Sequence, residues 1–115
     1  MKIFSFIDKP GKPSIPKPTD VTKRTAKLSW KAPKSDGGAP ITNYKLEYRM
    51  LGAFRWTPVK EDISGTTFIV YGLEEDSEYE FRVAAVNKAG QGQFAISDES
   101  VRTTEPVGMY HLCLF

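Results

Sequence analysis

The sequence predicts an all-β fold in which two antiparallel sheets pack face to face as a sandwich of six or seven short strands. Three observations predict it. Apolar and polar residues alternate with a period of two in several segments, the 3.6-residue period of a helix is missing, and clusters of Gly, Pro, Asn and Asp punctuate the chain at regular intervals. A length of 115 residues suits one domain with a single core and leaves no room for a second.

The elements follow in order. Residues 10–18 hold four prolines, which exclude a helix and read as an extended linker leading into an edge strand. From Thr25, the residues Ala26, Leu28 and Trp30 take one face and Lys27, Ser29 and Lys31 the other, until Pro33 ends the strand. Residues 35–40 (SDGGAP) are a turn by residue chemistry. A second strand follows, with Tyr44, Leu46, Tyr48 and Met50 alternating with Asn43, Lys45, Glu47 and Arg49. Leu51-Gly52 turns the chain into a short edge strand at 55–59, where Pro58 would be tolerated. Thr66 to Tyr71 is β-branched and aromatic, with Phe68 and Val70 on one parity, and Gly72 closes it. The clearest strand is Glu78 to Asn87, with Tyr79, Phe81, Val83 and Ala85 on the inward parity. Residues 87–92 must then turn, and a last strand is expected near 100–104. The expected core therefore includes Leu28, Trp30, Tyr44, Leu73, Tyr79, Phe81 and Val83.

Composition removes most chemistry. The sole Cys is Cys113 and the sole His is His111, so no internal disulfide and no Cys/His metal cage can form, and a Cys or Ser nucleophile would depend on one His near the end of the chain. No catalytic residue, metal ligand or cofactor site is expected. No apolar run approaches the roughly 20 residues that span a bilayer, and the apolar stretch before Asp8 is too short for a secretory signal, so neither a membrane span nor an export signal is expected. The net charge of +2 hides a segregation. Residues 1–34 carry nine Lys/Arg against two acids, while residues 61–80 carry seven acids and no base, which reads as a basic end and an acidic patch. No basic stretch is interleaved with stacking aromatics, so nucleic acid is not an expected partner. Glu74-Glu75-Asp76-Ser77-Glu78 lacks the alternating oxygen ligands and the turn-making Gly of a calcium loop and reads as a solvated turn. Pro13-Ser14-Ile15-Pro16 lacks the flanking base of a polyproline ligand, and no Arg-Gly-Asp or glycosylation acceptor occurs.

Leu28-Ser29-Trp30, Leu73 six residues before Tyr79, and the run from Tyr79 to Asn87 followed by Gly90-x-Gly92 together resemble a fibronectin type III domain over about residues 11–105. The resemblance implies an immunoglobulin-like sandwich of seven strands. It also implies that Tyr79 forms a tyrosine corner, with its ring in the core and its hydroxyl tied to upstream backbone. Residues 1–10 then read as a linker from a preceding domain and 106–115 as a disordered tail. Asp20-Val21-Thr22-Lys23, Trp30-Lys31-Ala32-Pro33, Asp36-Gly37-Gly38-Ala39-Pro40-Ile41-Thr42-x-Tyr44 and Trp56 are similar to the modules of the titin and twitchin (projectin) group of giant muscle proteins. That narrower resemblance implies a cytoplasmic, sarcomeric, monomeric module. It would space and dock partners along the thick filament, with neighbouring immunoglobulin or fibronectin domains and thick-filament proteins such as myosin as partners. The alternative is a module of an extracellular adhesion or receptor protein. The topology implied places the loop with Asp36, Gly37 and Gly38 and the loop with Asn87, Gly90 and Gly92 at one end, beside the entering linker with Lys9, Lys12 and Lys17. These six loop residues together with Lys12, Lys31 and Lys34 are the candidate protein-binding surface.

Overall fold

The computed structural model describes residues 6–105. Its strands are β1 (Lys17–Val21), β2 (Ala26–Ser29), β3 (Asn43–Met50), β4 (Thr57–Pro58), β5 (Thr67–Val70), β6 (Glu78–Asn87), β7 (Gly90–Gln91), β8 (Ala95–Ile96) and β9 (Val101–Arg102). One sheet has the order β1-β2-β5. The other runs β4-β3-β6, and β7, β8 and β9 pair in turn along the far side of β6. All the pairings are antiparallel. Because β7 to β9 are successive pieces of one edge strand, the nine segments occupy seven strand positions, matching the expected sandwich.

Alternation places the core. Ala26, Leu28 and Val70 face inward from one sheet, and Tyr44, Leu46, Tyr79, Phe81, Val83 and Ala85 from the other, all of them buried. Trp30, just past β2, meets Tyr44 edge-on with ring centroids 5.6 Å apart, an arrangement favoured by the ring quadrupoles. Its indole Nε1 is buried without a hydrogen-bond partner among the described residues. β3 and β6 form the longest ladder, from Asn43↔Val86 to Met50↔Tyr79. β1 sits at an edge, where its one proline, Pro18, is tolerated, and its register shifts between Pro18 and Asp20.

Two pieces of structure depart from the sequence expectation. Residues 87–92 do turn, but the turn returns into β7 with Asn87↔Gly90 paired, and β8 arises where no strand was expected. Beyond β8 the ladder continues through a side chain. The Phe81 N–H donates to Ser97 Oγ at 3.0 Å while the Ser97 N–H donates to the Phe81 carbonyl at 2.8 Å.

The ladder also defines two poles. Asn43, Val86 and Asn87 end at the upper pole, where the chain comes in. Met50, Tyr79 and the β5–β6 turn end at the lower one, where it leaves. The exit is pinned by Thr103, whose buried Oγ1 donates to the Glu74 carbonyl at 2.6 Å and accepts the Ser77 N–H at 3.0 Å. The Tyr79 hydroxyl accepts the Glu74 N–H at 2.9 Å, which is the tie expected of a tyrosine corner.

Candidate functional site at the upper pole

Three pieces of chain converge at the upper pole: the β2–β3 loop, the β6–β7 turn and the lead-in segment 8–11. The first two bring together Asp36, Gly37, Gly38, Asn87, Gly90 and Gly92, and the lead-in segment fills the space between them. The Asp8 N–H donates to the Gly37 carbonyl at 2.8 Å and the Gly11 N–H to the Ser35 carbonyl at 3.0 Å. Asn87, the last residue of β6, is 3% exposed. Its amide Nδ2 donates to the Asp8 carbonyl at 2.8 Å and the Asp36 carbonyl at 2.7 Å, while its Oδ1 accepts the Ala89 N–H at 2.8 Å. Every polar atom of this buried side chain is used, as burial demands.

The glycines are explained by the same segment. A Cβ on Gly37 would lie 2.0 Å from the Asp8 carbonyl oxygen, and one on Gly92 would lie 2.1 Å from that of Pro10. Gly37 also has φ +80°, a conformation that favours glycine. At Gly90 a Cβ would come 3.3 Å from Cε of Lys9, whose stem crosses that turn. The close approach these glycines permit is thus taken up by the protein's own backbone. Among the residues the pole leaves to solvent, which include Asp8, Lys9, Asp36 and Lys88, are Lys12, Lys31 and Lys34, all exposed and none ion-paired among the described residues. The bonds Gly11–Ser35 and Ser14–Lys31 bracket Lys12 against residues 32–34, so the three lysines share one shoulder of the pole.

The outer face of the β4-β3-β6 sheet carries an arrangement centred on Trp56 that the alternation pattern alone does not reveal. The guanidinium of Arg82 lies 4.4 Å from the Trp56 ring centroid and 4.0 Å from that of Phe94, and that of Arg49 lies 4.3 Å from Trp56. Across the ladder Glu47 holds Arg82 and Glu80 holds Arg49. The signal was present in the outward parity of β3 and β6, where Glu47 and Arg49 face Arg82 and Glu80 in opposite order.

A fibronectin type III family model matches residues 11–101. The chain belongs to the fibronectin type III family. It is 39% identical over 82 residues to titin of Drosophila melanogaster, covering 71% of this chain and a share of titin that rounds to 0%. It is 40% identical over 103 residues to human contactin-3, covering 85% of this chain and 10% of contactin-3. A solved three-domain fragment of titin superposes with a TM-score of 0.80 at 37% identity, covering 85% of this chain and 33% of the fragment. The chain thus spans a tenth or less of these curated relatives.

The domain's charges do not follow the sequence blocks. The acids of residues 61–80 scatter over both poles and the outer sheet face, and most meet a base: Asp62 meets Lys45, Glu80 meets Arg49, Glu75 meets Arg24, and Asp76 and Glu78 meet Arg102. Lys23 and Arg24, counted with the basic end, lie in the β1–β2 turn beside the acidic one, where the Leu73 N–H bonds the Arg24 carbonyl. The acidic patch expected from the sequence is therefore largely neutralised, because neighbours in sequence are set on different strands and turns. Among the described residues no group of three His, Cys, Asp or Glu could hold a metal, and no helix is long and apolar enough to cross a membrane. His111 and Cys113, like the expected tail 106–115, lie outside the described residues.

Proposed function

We propose that this domain is a non-catalytic spacing and docking module of a titin- or twitchin-like muscle protein, placed in the cytoplasm along the sarcomeric thick filament. The observation that carries the reading is the likeness to titin in sequence and in solved structure together. The geometry supports it, since the chain comes in at one pole and leaves at the opposite one, which is what end-to-end arrays need. Its partners are neighbouring immunoglobulin or fibronectin domains, with myosin or another thick-filament protein on the shoulder formed by Lys12, Lys31 and Lys34. Asp36, Gly37, Gly38, Asn87, Gly90 and Gly92 support that shoulder by holding the lead-in segment under it.

The contactin-3 match, as identical as that to titin and longer, supports a second reading as a module of an extracellular adhesion or receptor protein. Fold alone does not separate the two. Fractionation of the native protein does: a very large myofibril-bound species supports the first reading, and a glycosylated membrane species replaces it with the second.

A further inference from the structure

We infer that the slot between the β2–β3 loop and the β6–β7 turn is an orienting clamp, which makes residues 8–11 a fixed strut of the fold and moves the pivot for any preceding polypeptide back to Ile7 or earlier. Its use as a joint rests on the reading of the chain as one module among several. The clamp itself is a property of this chain.

Several independent features point the same way. Main-chain bonds hold the strut at both ends, Asp8 to Gly37 and Gly11 to Ser35. The loops on either side are cut to backbone width at Gly37 and Gly92, where even a methyl group would overlap a strut carbonyl. Gly92 does not have a positive φ, so turn geometry does not account for it and the close approach of Pro10 does. The strut is also pre-organised. Pro10 is buried with its own φ fixed, and it restricts Lys9 to extended backbone. Undocking would strip one acceptor from the buried Asn87 amide, which disfavours the open state. A segment lying passively on a surface needs none of these features.

Backbone 15N relaxation and amide exchange on this chain test the inference. Asp8, Lys9 and Gly11 should show order parameters near the rigid-backbone value of about 0.85, equal to those of β3 and β6, with protected Asp8 and Gly11 amides. Gly92→Ala puts a methyl group against the Pro10 carbonyl and should release the strut. Its order parameters should fall below about 0.6, and protection of Asp8 should drop at least about tenfold, while β3 and β6 keep theirs. Asn87→Asp replaces the donor facing two carbonyls by an acceptor and should do the same if Gly92→Ala does not fold. Mobile residues 8–11 in the native chain overturn the clamp, and so does a strut that stays as ordered in both variants as in the native chain. Because the measurement needs no neighbour, its outcome is independent of whether the parent is a muscle protein.

Discussion

Replacing Arg82 by methionine should cost the domain about 2–4 kcal/mol, although the residue lies on an outer sheet face. Methionine keeps an apolar stem and removes only the guanidinium. That group donates from Nε at 2.9 Å and from Nη2 at 2.5 Å to Oε1 of Glu47, with the two side chains 24% and 20% exposed. Hydrogen bonds to charged groups contribute roughly 1.5–3 kcal/mol where solvent is mostly excluded. The contacts with Trp56 and Phe94 add about 0.5–1 kcal/mol each, and the sum is trimmed because neighbouring terms are not additive. Urea denaturation followed by far-UV circular dichroism measures the loss, which in a thermal melt of a domain of this size corresponds to a fall in Tm of about 8 °C or more. Arg82→Lys should recover only part of it, because an ammonium has neither the plane nor the fork. A loss below about 1 kcal/mol for Arg82→Met, or no coupling in a double-mutant cycle with Glu47→Gln, would refute the account of this face.

Tyr79→Phe should cost about 1–3 kcal/mol in the same assay by orphaning the Glu74 N–H, and an unchanged midpoint would show that the corner bond is idle. Trp30→Ala should cost about 3–5 kcal/mol, but Trp30→Phe markedly less than that, because the indole N–H it removes has no partner. Thr67→Ala, which removes only exposed or half-exposed hydroxyl bonds to Leu28 and Ser29, should stay within about 1 kcal/mol, and equal losses at Trp30 and Thr67 would sink the face assignment. Burial pushes the Tyr44 phenol above the ordinary value, so the neutral form is the one the fold favours. Its contribution is fully present below about pH 10 and is lost as pH rises through the raised pKa, which a falling Tm in alkaline buffers checks and a flat profile contradicts. With one Cys in the sequence, reductant should leave the denaturation midpoint unchanged, and a shift that persists in Cys113→Ser would expose another source of stability.

The parts of the fold legible in the sequence are those where a local period suffices. β2, β3 and β6 each run long enough for alternation to show, and most of their inward residues are buried, though Met50 at the end of β3 is exposed and Ala84, on the outward parity of β6, is buried. β7 and β8 are two residues each, too short for a period, and their ladder passes through the Ser97 side chain, which no pattern encodes. The site was legible as a location and illegible as a mechanism. Gly37, Gly92 and Asn87 announced two loops, but what they accommodate lies far off in sequence, and the bond from Asn87 to Asp8 spans 79 positions. Charge was the least legible. A block count assumes that neighbours along the chain stay neighbours in space, and a sandwich sends successive residues to opposite faces and successive turns to opposite poles.

That dispersal separates the two poles as docking surfaces. At the lower pole, Glu75 and Asp76 hold Arg24 and Arg102, so reversing Glu74, Glu75 and Asp76 to Lys sets like charges against those arginines and should destabilise the domain itself, each exposed pair contributing about 0.2–1 kcal/mol. At the upper pole, Lys12, Lys31 and Lys34 have no carboxylate to lose, so their reversal to Glu should leave Tm nearly unchanged. Any effect should fall instead on association with an acidic partner. Steering by exposed charges is screened over about 8 Å at physiological salt, so the native domain should co-sediment with thick filaments more strongly at low salt than at high, and the triple reversal should remove that salt dependence. A triple variant that unfolds more readily would mean that the lysines have partners inside the fold. Co-sedimentation equal to that of the native domain at every salt concentration would mean that the shoulder is only a solvated face.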